Sequence, residues 1–178
     1  VYVYKRYGGF WIQEAYIKAA NSDNDSNFGH SVSIDGDTLA VSAIGEDSDL
    51  TTITNATTVP DNVSSKSASG AVYVYKRTGV TWVQEAYIKA GNSDNDSKFG
   101  YSVSLDGETL VVGAPYEDSD LTTITNGTSV PDNVSFNTDS GAVYIYKRSG
   151  ATWVQEAYIK AANSEAGDLF GWSVSIDN

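Results

Sequence analysis

The hexapeptide Val-Tyr-Val-Tyr-Lys-Arg, Val1 to Arg6, returns at Val72 to Arg77 and, with Ile for one Val, at Val143 to Arg148, a step of 71 residues each time. Trp11, Trp82 and Trp153 keep the same step, and a gapless alignment of 1–71 with 72–142 leaves only 19 differences. The rest of the chain begins a third copy. A period of this length means that each copy is one supersecondary unit that cannot bury its own faces and must stack on its neighbours. The chain is therefore an array of like units.

The residues within one copy say what kind of unit it is. Helical periodicity is weak, and β-branched and aromatic residues alternate with period two, so each copy reads as four short strands. The first runs from Phe28 to Ile34, with Val32 and Ile34 on one side and the small Ser31 and Ser33 on the other, which suits a crowded inner position. Asp35-Gly36 and its equivalent Asp106-Gly107 predict a tight hairpin, because both turn residues must reach positive φ, leading to second strands at Thr38 to Ala43 and Thr109 to Ala114. A long polar connection follows, Glu46 to Ser69, rich in Thr, Asn, Ser and Asp and holding Pro60; loops of this length tend to carry function.

The third strand, Val72-Tyr73-Val74-Tyr75, places valines on one face and tyrosines on the other, so both faces are apolar and both must be covered. Stacked blades cover both; a sandwich with one wet face does not. The fourth strand is Trp82 to Ala90, where Gln84, Glu85 and Lys89 interrupt the apolar pattern and suit an outer edge. Between copies, Ile12 becomes Val83 and Ile34 becomes Leu105, volume-conserving changes expected in the core.

These strands and spacings support an all-β chain of β-propeller blades. Phe99-Gly100 followed by Val111-Val112-Gly113-Ala114-Pro115, with Ser140-Gly141-Ala142-Val143-Tyr144-Ile145-Tyr146 further on, resembles the FG-GAP repeat of integrin α-subunit propellers and many bacterial surface proteins. The resemblance covers essentially the whole chain and implies blades of four antiparallel strands. The expected division is the third and fourth strands of one blade in 1–27, complete blades in 28–98 and 99–169, and the first strand of another in 170–178. By that reading the segment is an incomplete propeller, and the missing initiator Met with a start inside a strand suggests that residues precede Val1. Two departures stand out. The first copy has Ser42-Ala43-Ile44 for Gly113-Ala114-Pro115, and the connection between the first two strands is too short for the calcium loop often found there in integrin-type repeats.

Calcium must therefore come from elsewhere, if at all. Two acidic runs recur: Asp23 and Asp25 with equivalents Asp94 and Asp96, and Glu46, Asp47 and Asp49 with equivalents Glu117, Asp118 and Asp120. Such loops could supply a shell of about six to eight oxygens, although Asp, Asn and Ser are also ordinary turn formers that bond their own backbone. Sequons stand at Asn24, Asn55, Asn62, Asn95, Asn126 and Asn133, all in expected loops and permissive for glycan attachment.

Charge and composition narrow the partners. A net charge of −12 disfavours nucleic acid, which needs clustered cations, and fits divalent cations, a high-salt extracellular setting, or simply a soluble acidic surface. With no Cys there is no thiol chemistry, and no apolar run approaches the roughly 20 residues of a membrane helix. The single histidine, His30, has Tyr101 and Trp172 as equivalents, so the position asks for a flat ring and not for an acid or base. The other Tyr and Trp residues invite sugar stacking, but their regular places in strands make packing the better reading.

A non-enzymatic segment at the cell surface or outside the cell follows, presenting its long loops to a protein or glycan partner in adhesion or assembly. Two alternatives stay open: a building block of a fibre or sheath joined to copies of itself through open blade edges, and the non-catalytic part of a larger propeller enzyme.

Overall fold

A computed structural model describes residues 1–59, 65–131 and 137–177. Twelve strands form three antiparallel sheets, and no helix occurs among the described residues. The first sheet is the hairpin of β1 (Tyr2–Tyr7) and β2 (Phe10–Tyr16). The second contains β3 (Phe28–Asp35), β4 (Thr38–Ala43), β5 (Ile53–Thr54), β6 (Ala71–Thr78) and β7 (Thr81–Ile88), in the order β3-β4-β6-β7-β5. The third repeats that order with β8 (Ser102–Asp106), β9 (Thr109–Ala114), β10 (Ile124–Asn126), β11 (Ala142–Ser149) and β12 (Thr152–Ile159). These are β-propeller blades, the first represented by two strands only.

Two strands in this set depart from the expected four per blade. Inside the long connections, β5 and β10 pair with the outer ends of β7 and β12, Ile53 opposite Ile88 and Ile124 opposite Ile159. The fourth strand is thus partly covered, and its expected role as an open edge is corrected. Residues 170–177 form no strand; they run beside the third blade without a ladder, held by a parallel bridge from Gly141 to Phe170 and by side-chain bonds such as Ser102 Oγ to the Gly171 carbonyl at 2.9 Å.

The alternation along β6 decides how the blades stack. Val72 and Val74, with Ala86 and Ile88 of β7, enter one core with Phe99, Val103, Leu105, Tyr144 and Tyr146 of the third blade. Tyr73 and Tyr75, with Tyr87, enter the other core with Val3, Ile17 and Ala19 of the first blade. The middle sheet is covered on both faces, and burying side chains of this size contributes about 1.5–3 kcal/mol each. Phe99 closes its blade edge-on against Tyr144 at 5.2 Å between centroids, as Phe28 does against Tyr73 at 5.3 Å.

Some expected core positions lie outside it. Leu105 is 6% exposed, whereas Ile34, which has only the two strands of the first blade before it, is 54% exposed; Ile12 and Val83, near the hairpin tips opposite Lys5 and Lys76, are 54% and 43% exposed.

The small residues of the inner strands have a definite task. The Val103 and Leu105 N–H groups donate to Ser31 Oγ at 3.1 Å and Ser33 Oγ at 2.9 Å, and the Gly107 N–H donates to Asp35 at 2.8 Å. Ile176 N–H donates in the same way to Ser104 Oγ at 3.2 Å. Short hydroxyl side chains thus satisfy the unpaired inner edge of the following segment.

A bulge sets a second blade-to-blade contact. In each hairpin the register slips by one residue, so that Gln84 and Ala86 pair with Tyr75 and Val74 while Glu85 is left over; Glu14 and Glu156 are the extra residues in the other two hairpins. A bulge re-aims its side chain. Glu85 accepts from Arg148 Nη2 at 2.6 Å and Nε at 2.8 Å, and Glu14 accepts from Arg77 Nη1 at 3.2 Å. Of the residues expected at an outer edge, Glu85 bonds across to the next blade, while Gln84 and Lys89 are buried and donate within their own blade, Gln84 Nε2 to the Ala56 carbonyl at 3.4 Å and Lys89 Nζ to Glu46 at 2.7 Å.

Candidate functional site

Each junction between blades holds a buried polar cluster. Directly after β7 comes Lys89, whose Nζ donates to Glu46 Oε2 and Ser69 Oγ, both at 2.7 Å. Asn21, from the preceding blade, donates its Nδ2 to Glu46 Oε1 at 3.4 Å and accepts from the Tyr73 hydroxyl at 2.6 Å. The next junction repeats the arrangement: Lys160 Nζ to Glu117 Oε2 and Ser140 Oγ at 2.7 Å, Asn92 Nδ2 to Glu117 Oε1 at 2.9 Å, and Tyr144 OH to Asn92 Oδ1 at 2.6 Å. Both lysine side chains are wholly buried and both glutamates are 1% exposed. Burial pushes the Lys89 ammonium below its ordinary value, opposed by the adjoining Glu46 charge. Burial pushes the Tyr73 and Tyr144 hydroxyls well above theirs, and the glutamate charges add to that.

This cluster redefines two candidate calcium ligands. Glu46 and Glu117 point into the blade, where an ammonium already neutralises them, so a cation would have to displace a buried lysine. In the structure each glutamate is paired with a lysine inside the blade. The other acids bond backbone amides: Asp47 and Asp118 accept from the Ala68 and Asp139 N–H groups at 2.8 Å, across the two ends of the long connection, and Asp23 and Asp94 accept from the N–H groups of the adjoining Asn24 and Asn95. Asp25 and Asp96 adopt positive φ, 66° and 57°, while Asp49 and Asp120 are exposed. The two acidic runs meet at one end of the blade, where the Gly45 N–H donates to the Ser26 carbonyl. Among the described residues, no three of His, Cys, Asp and Glu are grouped so as to hold a metal ion.

The long connections carry the exposed surface. Thr51, Thr52, Thr57 and Thr58 in the second blade and Thr122, Thr123, Thr128 and Ser129 in the third are exposed, while Ile53, Leu121 and Val130 pack onto the core beneath. Asn55 pairs with the backbone of Trp153 in the next blade, accepting its N–H at 2.7 Å and donating to its carbonyl at 3.2 Å. Asn24, Asn95 and Asn126 are exposed, and Asn62, Asn133 and Pro60 lie outside the described residues.

At the start of the inner strands, the ring position after each Phe-Gly forms a row. His30 lies 5.0 Å from Tyr101, and Tyr101 lies 4.5 Å from Trp172. Tyr116 joins at 6.0 Å from Tyr101, with Lys98 Nζ 4.5 Å from the Tyr116 centroid. His30 therefore packs against Tyr101 at an interplanar angle of 53°, in the place of a flat ring like its equivalents.

The roles of the buried lysines and the half-buried asparagines were what strand patterning missed. Their signal was present in the repeat: Asn21, Glu46, Ser69, Tyr73 and Lys89 are matched at every position by Asn92, Glu117, Ser140, Tyr144 and Lys160.

The chain matches the family model described as FG-GAP repeat over residues 11–75, 82–146 and 153–178, each match opening on the tryptophan of a fourth strand. No curated protein matches the chain.

Proposed function

The chain belongs to the FG-GAP repeat family, and from that premise we propose that it is a non-enzymatic β-propeller segment working in adhesion or binding at the cell surface or outside the cell. The observation that carries this reading is the pair of threonine-rich loop surfaces, held at equivalent positions of adjacent blades by strands β5 and β10. Exposed hydroxyls at fixed spacing suit hydrogen bonding to a protein or glycan, and a repeated ligand would meet the same surface twice, which raises overall avidity. The acidic surface disfavours nucleic acid as the partner. Absence of cysteine and the family's occurrence in surface proteins support the location. A calcium role is kept only for the exposed loop acids such as Asp49 and Asp120, not for Glu46 or Glu117. A non-enzymatic role is supported by the packing of His30 against Tyr101 and by the engagement of the buried glutamates with lysine.

The test replaces Thr51, Thr52, Thr122 and Thr123 by alanine, which leaves β5 and β10 paired, and measures adhesion of the chain to cells and to immobilised glycans and matrix proteins. Binding should fall at least tenfold while the far-ultraviolet β signal is unchanged. Equal binding by the variant would sink the reading.

A further inference from the structure

The two buried clusters hold three groups whose combined chemistry exceeds that of an ion pair. A primary amine and a carboxamide are bound to opposite oxygens of one carboxylate, with the lysine and glutamate side chains wholly or almost wholly buried. Lys160 Nζ and Asn92 Nδ2 lie 2.7 Å and 2.9 Å from the two oxygens of Glu117, and Lys89 and Asn21 lie 2.7 Å and 3.4 Å from those of Glu46. We propose that each cluster is the site of a spontaneous isopeptide bond, Lys89 Nζ to Asn21 Cγ and Lys160 Nζ to Asn92 Cγ, which covalently staples one blade to the next.

The parts have matching roles. The glutamate takes a proton from the lysine ammonium and leaves an amine with a free electron pair. At Lys89 burial favours that neutral amine, because the charged form loses its hydration. The asparagine carbonyl accepts the tyrosine hydroxyl at 2.6 Å in both clusters, which draws electron density from Cγ where the amine attacks and steadies the oxygen as it gains charge. The Nζ–Cγ bond forms, the Cγ–Nδ2 bond breaks, the amine gives up its second proton, and Nδ2 leaves as ammonia. The proton first taken by the carboxylate departs with it as ammonium. The balance closes with one amide exchanged for another, without oxidant, reductant or cofactor. Holding both reactants on one carboxylate supplies the orientation that a slow amide exchange needs.

The topology makes the bond useful. Each asparagine follows the fourth strand of one blade and each lysine comes directly after the fourth strand of the next, so each cross-link spans a blade junction. The other junction contacts, the arginine clasp and the serine bonds, are non-covalent. A covalent staple at the same place would keep blades together under mechanical load, the condition met by a surface adhesin.

Intact-mass spectrometry of the purified chain under denaturing conditions tests this directly. The expected mass is below the sequence mass by two ammonia molecules, with branched peptides joining Asn21 to Lys89 and Asn92 to Lys160 after digestion. Glu117→Gln and Lys160→Arg should each restore one ammonia and remove only the second branched peptide. A wild-type chain at its full sequence mass overturns the proposal. So does an ammonia loss that maps elsewhere, for example to a cyclic imide at Asn126-Gly127.

Discussion

Asn55 shows what a single side chain does in this molecule. Its amide both accepts from and donates to the backbone of Trp153, 98 residues away, so one residue does the work of two ladder bonds between blades. As a sequence it reads only as a sequon in a polar loop; its partner is set by stacking and lies too far along the chain for any local pattern to reveal. Replacing Asn55 by Ala should leave the Trp153 N–H without its partner and cost about 1–3 kcal/mol, because an unsatisfied donor keeps its desolvation penalty. Asn55→Asp, which keeps the acceptor and loses the donor, should cost less. Urea midpoints of the two variants against the parent chain measure both.

Among the elements, the third strand was legible and the fourth was not. Alternating Val and Tyr in 72–75 can only mean two covered faces, and the two cores divide along that alternation. The fourth strand contains a bulge at Glu85, and a one-residue slip moves side chains between faces. Period-two reading therefore misassigns Gln84 and Glu85 and treats Lys89 as an edge charge. The turn before the third strand is equally tight. Gly70 has φ +82°, and a Cβ there would collide with the backbone of Phe99, whereas at Gly36, φ +53°, the same atom would meet open space. Alanine at Gly36 should cost only the strain of a left-handed residue, about 1–3 kcal/mol. Gly70→Ala should cost clearly more by the same denaturation assay, because the Ser-Gly-Ala entry to β6 must also move away from the next blade.

For the whole molecule, the tyrosine cores couple stability to pH. Tyr73, Tyr75, Tyr87, Tyr144, Tyr146 and Tyr158 all have hydroxyls raised well above the ordinary 10.0, chiefly by burial. A group raised in the folded state keeps its proton there while the unfolded chain loses it, so its contribution is complete below about pH 10 and falls as pH rises beyond that value. Each such tyrosine removes about 1.4 kcal/mol per pH unit. Stability should therefore drop steeply above pH 10, with tyrosinate absorbance from these six residues appearing together with loss of the β signal. Tyrosinate formation from them in a chain that is still folded would contradict the assignment of these rings to the cores.

By itself the sequence determined the array, the strands and the need to cover both faces of each sheet, because repeat period, side-chain alternation and turn chemistry act over a few residues and are written locally. Only the tertiary structure decided what the polar residues do. Glu46, Lys89, Asn21 and Asn55 acquire partners through the bulge in one hairpin and the docking of one blade on the next. Removing a charge or an amide from water makes the identity of its partner decide whether it stabilises, reacts or stays exposed. Burial and partner are properties of the assembled junction, and neither exists in a single copy of the repeat.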